Sequence, residues 1–279
     1  MRRRHFIISA GLGAVGASMA RPRSTQAQDV RWQYDGQGTL ARVGVLTPDF
    51  DPVPESEMWA MVPRGVSIHA ARVPRGAGAG HGFADPPYVD DAVDRLAALT
   101  PHSILFAYTS SSYALGAEAS DQVRIRLEQR SKGIPMFFTC TAATAAFQLL
   151  DVQHISVVHP PWFSEASNEQ GRHYWRDAGF DVVECTPIRP ARSFTEVPPD
   201  EIFNFVSTHT PRGAEAVFIG GNGLRAVGTI RALEERLQKP VLSANQVVLW
   251  YALHAIGQAD SVVRYGSIFS KRSASRSPT

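Results

Sequence analysis

From residue 40 onward, short, mainly apolar runs alternate with longer stretches whose apolar positions recur at a helical spacing. The apolar runs cover residues 41–46, 66–70, 103–107, 135–138, 155–158, 182–183, 216–219 and 240–242. Each is too short for a helix and is mainly apolar, so each reads as a buried strand. Helical patterns fill the intervals at 88–99, 120–130, 144–149, 168–178, 199–208 and 224–238, and one more follows at 247–256. This alternation predicts an α/β protein with parallel sheets flanked by helices. A turn at 151–154 divides the pattern into two halves of similar design. The expectation is therefore two Rossmann-like lobes with a ligand cleft between them. The first lobe would span 39–152, joined by the returning segment 243–269, and the second 153–242. In such sheets ligands bind beyond the carboxyl ends of the strands.

The two ends of the chain fall outside this pattern. Residues 1–28 open with Arg2, Arg3 and Arg4, continue as a Gly/Ala-rich apolar run to Ala20, and contain no acid. A basic start, a short apolar core and small residues before a cut describe a twin-arginine-type signal, too short to span a bilayer. The expectation is export, to a periplasm, with cleavage after Ala20 or Ala27 and no stable membrane insertion afterwards. Loss of the five arginines in residues 1–27 turns the formal charge of +2 into −3. That removes the basic surface that nucleic acid or anionic lipid would need. The Ser/Arg-rich residues 270–279 read as a disordered tail. Hydrophobic content of 44% with 19% charged residues fits a soluble globular body, and leaves a homo-oligomer open. Two cysteines, Cys140 and Cys185, fit either one disulfide or two small buried hydrophobes.

Several familiar signals point away from their usual chemistry. Gly76, Gly78, Gly80 and Gly82 run into Phe83-Ala84-Asp85-Pro86-Pro87, which does not open a helix as a dinucleotide loop must. They read as a mobile loop over the cleft. No histidine pair has metal-site spacing with a second ligand pair nearby, so no metal is expected. His159 follows a strand and is placed to enter the cleft. No nucleophile elbow or phosphate loop occurs.

Four stretches carry a resemblance. They are Arg42-Val-Gly-Val-Leu-Thr-Pro48 with Glu55 downstream, Thr109-Ser-Ser-Ser112, Phe218-Ile-Gly-Gly-Asn-Gly-Leu-Arg225, and Lys239-Pro-Val-Leu-Ser-Ala-Asn-Gln246 with Trp250 beyond. A weaker match runs from Asn168-Glu169 to Phe180. In order and spacing the chain resembles the maleate isomerase and arylmalonate decarboxylase branch of the aspartate/glutamate racemase superfamily, over nearly all of residues 40–270. The resemblance implies a cofactor-independent isomerase or decarboxylase acting on a small carboxylate. Cysteines flank the substrate in that family, because a thiol is both a tunable base and a good nucleophile. The pattern's first cysteine falls here on Tyr108 and its second on Gly221, so the resemblance implies a scaffold lacking both family cysteines. A carboxylate-binding asparagine falls on Asp51, and an expected tyrosine falls near Trp162-Phe163.

The anion-holding parts are expected to remain. Thr109, Ser110 and Ser111 supply hydroxyls and amides at a strand-to-helix junction, and Gly221, Asn222 and Gly223 offer close backbone approach. Asn245 adds an amide contact, and Arg72, ending a strand, can pair with a carboxylate. Without the family thiols, the candidate proton carriers are Tyr108, a poor base at neutral pH but a usable donor, and Cys140, just past a strand end. Two classes follow: an isomerase or decarboxylase with an altered site, or a non-catalytic exported carboxylate-binding protein or degenerate paralogue.

Overall fold

The structure, a computed structural model, describes residues 35–74, 83–190 and 196–271. The expected signal segment, the glycine loop at 76–82 and all but the first two residues of the expected tail lie outside these. The described chain builds two four-stranded parallel sheets, ordered β2-β1-β3-β4 and β6-β5-β7-β8. The first contains β1 (Ala41–Pro48), β2 (Val66–Val73), β3 (Ser103–Phe106) and β4 (Met136–Phe138). The second contains β5 (His154–His159), β6 (Asp181–Pro187), β7 (Ala216–Ile219) and β8 (Val241–Ser243). Val45 of β1 lies between Ala70 of β2 and Leu105 of β3, and Val157 of β5 between Cys185 and Phe218. The central strands β1, β3, β5 and β7 are buried almost throughout because helices cover both faces, whereas the edge strands β2 and β6 keep partly exposed positions.

The connecting helices are α1 (Val53–Met61), α2 (Tyr88–Ala97), α3 (Thr109–Arg130), α4 (Thr139–Leu149), α5 (Glu165–Asp177), α6 (Pro199–His209), α7 (Ile230–Leu237) and α8 (Ala244–Ala255). Helix α1 departs from the sequence reading, which has no helix there. Its buried positions, Val53, Pro54, Glu57, Met58 and Met61, follow helical spacing, but a proline and a glutamate among them hide the apolar stripe. Helix α3 begins eleven residues earlier than its apolar pattern, with Thr109-Ser-Ser-Ser as its first turn and a break in helical geometry at Gly116 (φ 78°). Serine and threonine are weak helix formers, so this turn is dictated by its place after β3 rather than by propensity. After β8 the chain returns to the first sheet, where α8 packs on α4, α1 and β3. Buried residues of both sheets form one large core cluster, and a second cluster under α2 joins Leu46, Ile104, Phe106 and Phe138. Among the described residues no helix is long and apolar enough to cross a membrane.

Candidate functional site

In each sheet the two central strands send their connections in opposite directions, so a crevice opens where the loops part. The loops after β1, β3, β5 and β7 meet there around a cavity of about 300 Å³. Phe50 and Asp51 reach it from the loop after β1, and Tyr108, Thr109 and Ser110 from the β3–α3 junction. Trp162 and Phe163 follow β5, Ser167 lies in the first turn of α5, and Gly221, Asn222 and Gly223 follow β7. Among the described lining residues none is Lys, Arg, His or Cys.

The floor of the cavity is a set of saturated hydrogen bonds that joins the two sheets. Asn222 Oδ1 accepts from the Thr109 backbone N–H (2.9 Å) and from the Thr109 hydroxyl (2.7 Å). Its Nδ2 donates to Thr139 Oγ1 (3.2 Å) and Asn245 Oδ1 (2.8 Å). The Gly221 N–H donates to Thr109 Oγ1 at 3.3 Å. Asn245 Nδ2 in turn donates to the Asn222 carbonyl and to Glu57 Oε2, both at 2.8 Å. The other carboxyl oxygen of Glu57 accepts from the Val227 N–H at 3.0 Å. A carboxylate only accepts, so Glu57 and the Asn222 carbonyl together fix which way both amides point. Burial pushes the Glu57 carboxyl up to about 7, against the hydrogen bonds from Asn245 and Val227; the nearby Asp51 charge adds to the rise.

Asp51 is buried, and burial raises its carboxyl to about 6 despite the Val53 N–H (2.9 Å) and the charge of Arg72. Arg72 itself does not line the cavity. Its guanidinium is occupied by Glu55 (2.6 Å) and the Asp51 carbonyl (2.5 Å), which braces the loop after β1 instead of presenting a cation to a ligand. Ser111 is fully buried, outside the lining, and Asn245 supports Asn222 from behind. Tyr108 forms a wall, its ring 4.5 Å from that of Phe83. His159 is wholly buried, with Nδ1 2.8 Å from Asn168 Oδ1 and Nε2 3.1 Å from the Tyr113 hydroxyl. Desolvation lowers it to about 4, so it is a neutral ring beneath Phe163 and does not enter the cavity.

The expectation of a scaffold lacking both cysteines is corrected by the structure, which carries two, Cys140 and Cys185. Both are free, and each follows from its own sheet. Cys140, in the first turn of α4, lies 3.8 Å from the Thr109 carbonyl. Cys185, in β6, lies 3.7 Å from His159 Nδ1. Burial raises both thiols, Cys140 far above the ordinary range and Cys185 to about 12, and neither lines the cavity. Cys140 therefore sits behind the β3–α3 junction rather than in front of it. Glu57 is the polar residue that sequence reasoning missed. A Glu at a buried position of the first helix, with helical spacing on either side, is the signal that marks it.

A maleate isomerase from Pseudomonas putida S16, solved with maleate, has the same fold, with a TM-score of 0.76 at 17% identity over 83% of this chain and 98% of that one. A Nocardia farcinica maleate cis-trans isomerase variant, solved with a covalently bound succinylcysteine intermediate, gives 0.75 at 19% identity, over 84% and 99%. An unliganded arylmalonate decarboxylase gives 0.72 at 18% identity, over 83% and 100%. No curated protein sequence matches the chain. The family model described as arylmalonate decarboxylase matches residues 86–269, about two thirds of the sequence and all of the cavity except the loop after β1. On that match, this chain belongs to the arylmalonate decarboxylase family.

Proposed function

We infer that the protein is a cofactor-independent enzyme of the decarboxylase or isomerase type, acting on a small carboxylate held in the cavity between the sheets. The observation that carries this reading is the cavity floor. Asn222 holds the β3–α3 junction and the loop after β7 together, so that the Thr109, Ser110 and Gly221–Gly223 segments border one space. The Thr109 N–H and hydroxyl and the Gly221 N–H are spent within this floor. That leaves the Ser110 hydroxyl and the Asn222 and Gly223 N–H groups as the donors bordering the space, and such donors hold an oxyanion best when they need no rearrangement. The aromatic walls, Tyr108, Trp162 and Phe163, favour a ligand that joins a carboxylate to an apolar or aryl group. Reaction follows without the two-thiol arrangement, because both thiols are buried elsewhere. In this reading the catalytic body has two lobes, 39–152 with 243–269 and 153–242, and is exported through residues 1–28.

A second reading, carboxylate binding without turnover, draws on the same burial of both thiols. A thermal-shift screen with phenylmalonate, maleate, aspartate and glutamate tests the shared cavity. At least one carboxylate is expected to raise the melting temperature, and no stabilisation by any of them sinks the assignment. Carbon dioxide release or isomerisation of the stabilising ligand then separates enzyme from binder. A size difference between precursor and mature protein tests export.

A further inference from the structure

Loss of carbon dioxide from a carboxylate leaves an electron pair on carbon, and the reaction closes only when that carbon gains a proton. Among the described lining residues, ionisable side chains are limited to Asp51 and Tyr108. Asp51 is only 3% exposed, yet it borders the cavity. Its Oδ1 accepts from the Val53 N–H, while Oδ2 has no hydrogen-bond partner among the described residues. Two charged groups act on it from the packed elements, Arg72 from β2 and Glu57 from α1, and Tyr108 at the start of α3 borders the same cavity. Arg72 is turned to Glu55 and the Asp51 carbonyl, and Glu57 adds like charge. Burial already favours the protonated carboxyl up to about pH 6. A bound carboxylate brings further negative charge and favours it more.

We propose that Asp51 is the acid of this site: it takes up a proton as the carboxylate ligand binds and delivers that proton to the ligand carbon. The assignment rests on the decarboxylase reading of the cavity. The carbon–carbon bond to the departing carboxylate breaks, and its electron pair stays on the remaining fragment as an enediolate facing the hydroxyl and amide donors. The Asp51 O–H bond then breaks as a carbon–hydrogen bond forms. Carbon dioxide and the protonated product leave, and Asp51 is a carboxylate until the next ligand draws a proton from solvent. An acid that titrates close to the working pH suits this transfer.

The test is made on the full chain. Calorimetric titration with maleate at about pH 7, in two buffers of different ionisation enthalpy, is expected to show uptake of nearly one proton per ligand bound. Asp51→Asn should bind maleate with no uptake. With phenylmalonate, Asp51→Asn should lower kcat at least about 100-fold, and Asp51→Glu should recover part of it. Binding of maleate without proton uptake overturns the assignment and leaves the cavity reading standing. So does turnover of phenylmalonate by Asp51→Asn at the wild-type rate. A wild type that binds neither maleate nor phenylmalonate overturns the cavity reading and the assignment together.

Discussion

Two buried carboxyls, Asp51 and Glu57, set the pH response of the fold around the cavity. Both are raised by burial, so the folded chain holds protons that the unfolded chain has released. The Glu57 contribution is complete below its ordinary value of 4.5 and is lost as pH rises through about 7. His159 acts in the opposite sense. Its lowered value makes the unfolded chain the better proton binder below pH 6.5, so stability falls as pH drops toward 4. The informative quantity is therefore the difference between wild type and Glu57→Gln. Wild-type stability relative to the variant should fall by about 3 kcal/mol between pH 4.5 and pH 7 and then level off, as followed by urea unfolding. At this scale the sequence reveals only part of the site. Thr109, Ser110, Gly221, Asn222 and Gly223 stand in recognisable motifs at strand ends, and all five border the cavity. Arg72 and Cys140 have the right linear position but the wrong partners, because Glu55 lies within reach of the one and the Thr109 carbonyl lies against the other. Partners on neighbouring elements are not legible from spacing.

At the level of elements, the loop after β7 is the most constrained. Gly221 has φ +91°, where a side chain is strained, and an added Cβ would lie 2.2 Å from Pro160 Cγ. Gly221→Ala should therefore destabilise by about 3 kcal/mol, from backbone strain and overpacking together. Combining it with Pro160→Ala should restore the packing part and leave the backbone part, which urea unfolding of the single and double variants would separate. Most strands and helices were legible because double burial leaves unbroken apolar runs, as at Ala216–Ile219, where expectation and structure coincide. Two of the departures share a cause. Helix α1 and the first turn of α3 are built from Pro, Glu, Thr and Ser, residues whose local preferences point elsewhere. Both are helical because of what they pack against, and both border or support the cavity.

Across the whole molecule, the repeated strand order gives two halves that are tied by buried polar groups as well as by apolar contact. Tyr113, from α3, places its hydroxyl 3.1 Å from His159 Nε2 and accepts from Trp175 Nε1 at 3.0 Å. Tyr113→Phe leaves two buried groups without a partner and should cost about 2–4 kcal/mol, read from the denaturation midpoint. Intrinsic fluorescence of Trp175 should shift as its N–H loses its acceptor. The two-sheet plan itself was visible in the sequence, since a turn at 151–154 separates two similar series of runs. Ties such as Tyr113–His159 were not, because they span 46 positions and carry no pattern. The Asn222 floor has a mechanical consequence. Its bonds to Thr109, Thr139 and Asn245 are the seam between the halves, so parting the halves would break the floor of the cavity itself. The cavity is thus a well rather than a clamp: its bottom is sewn shut, and the partly exposed Phe50 stands at its border.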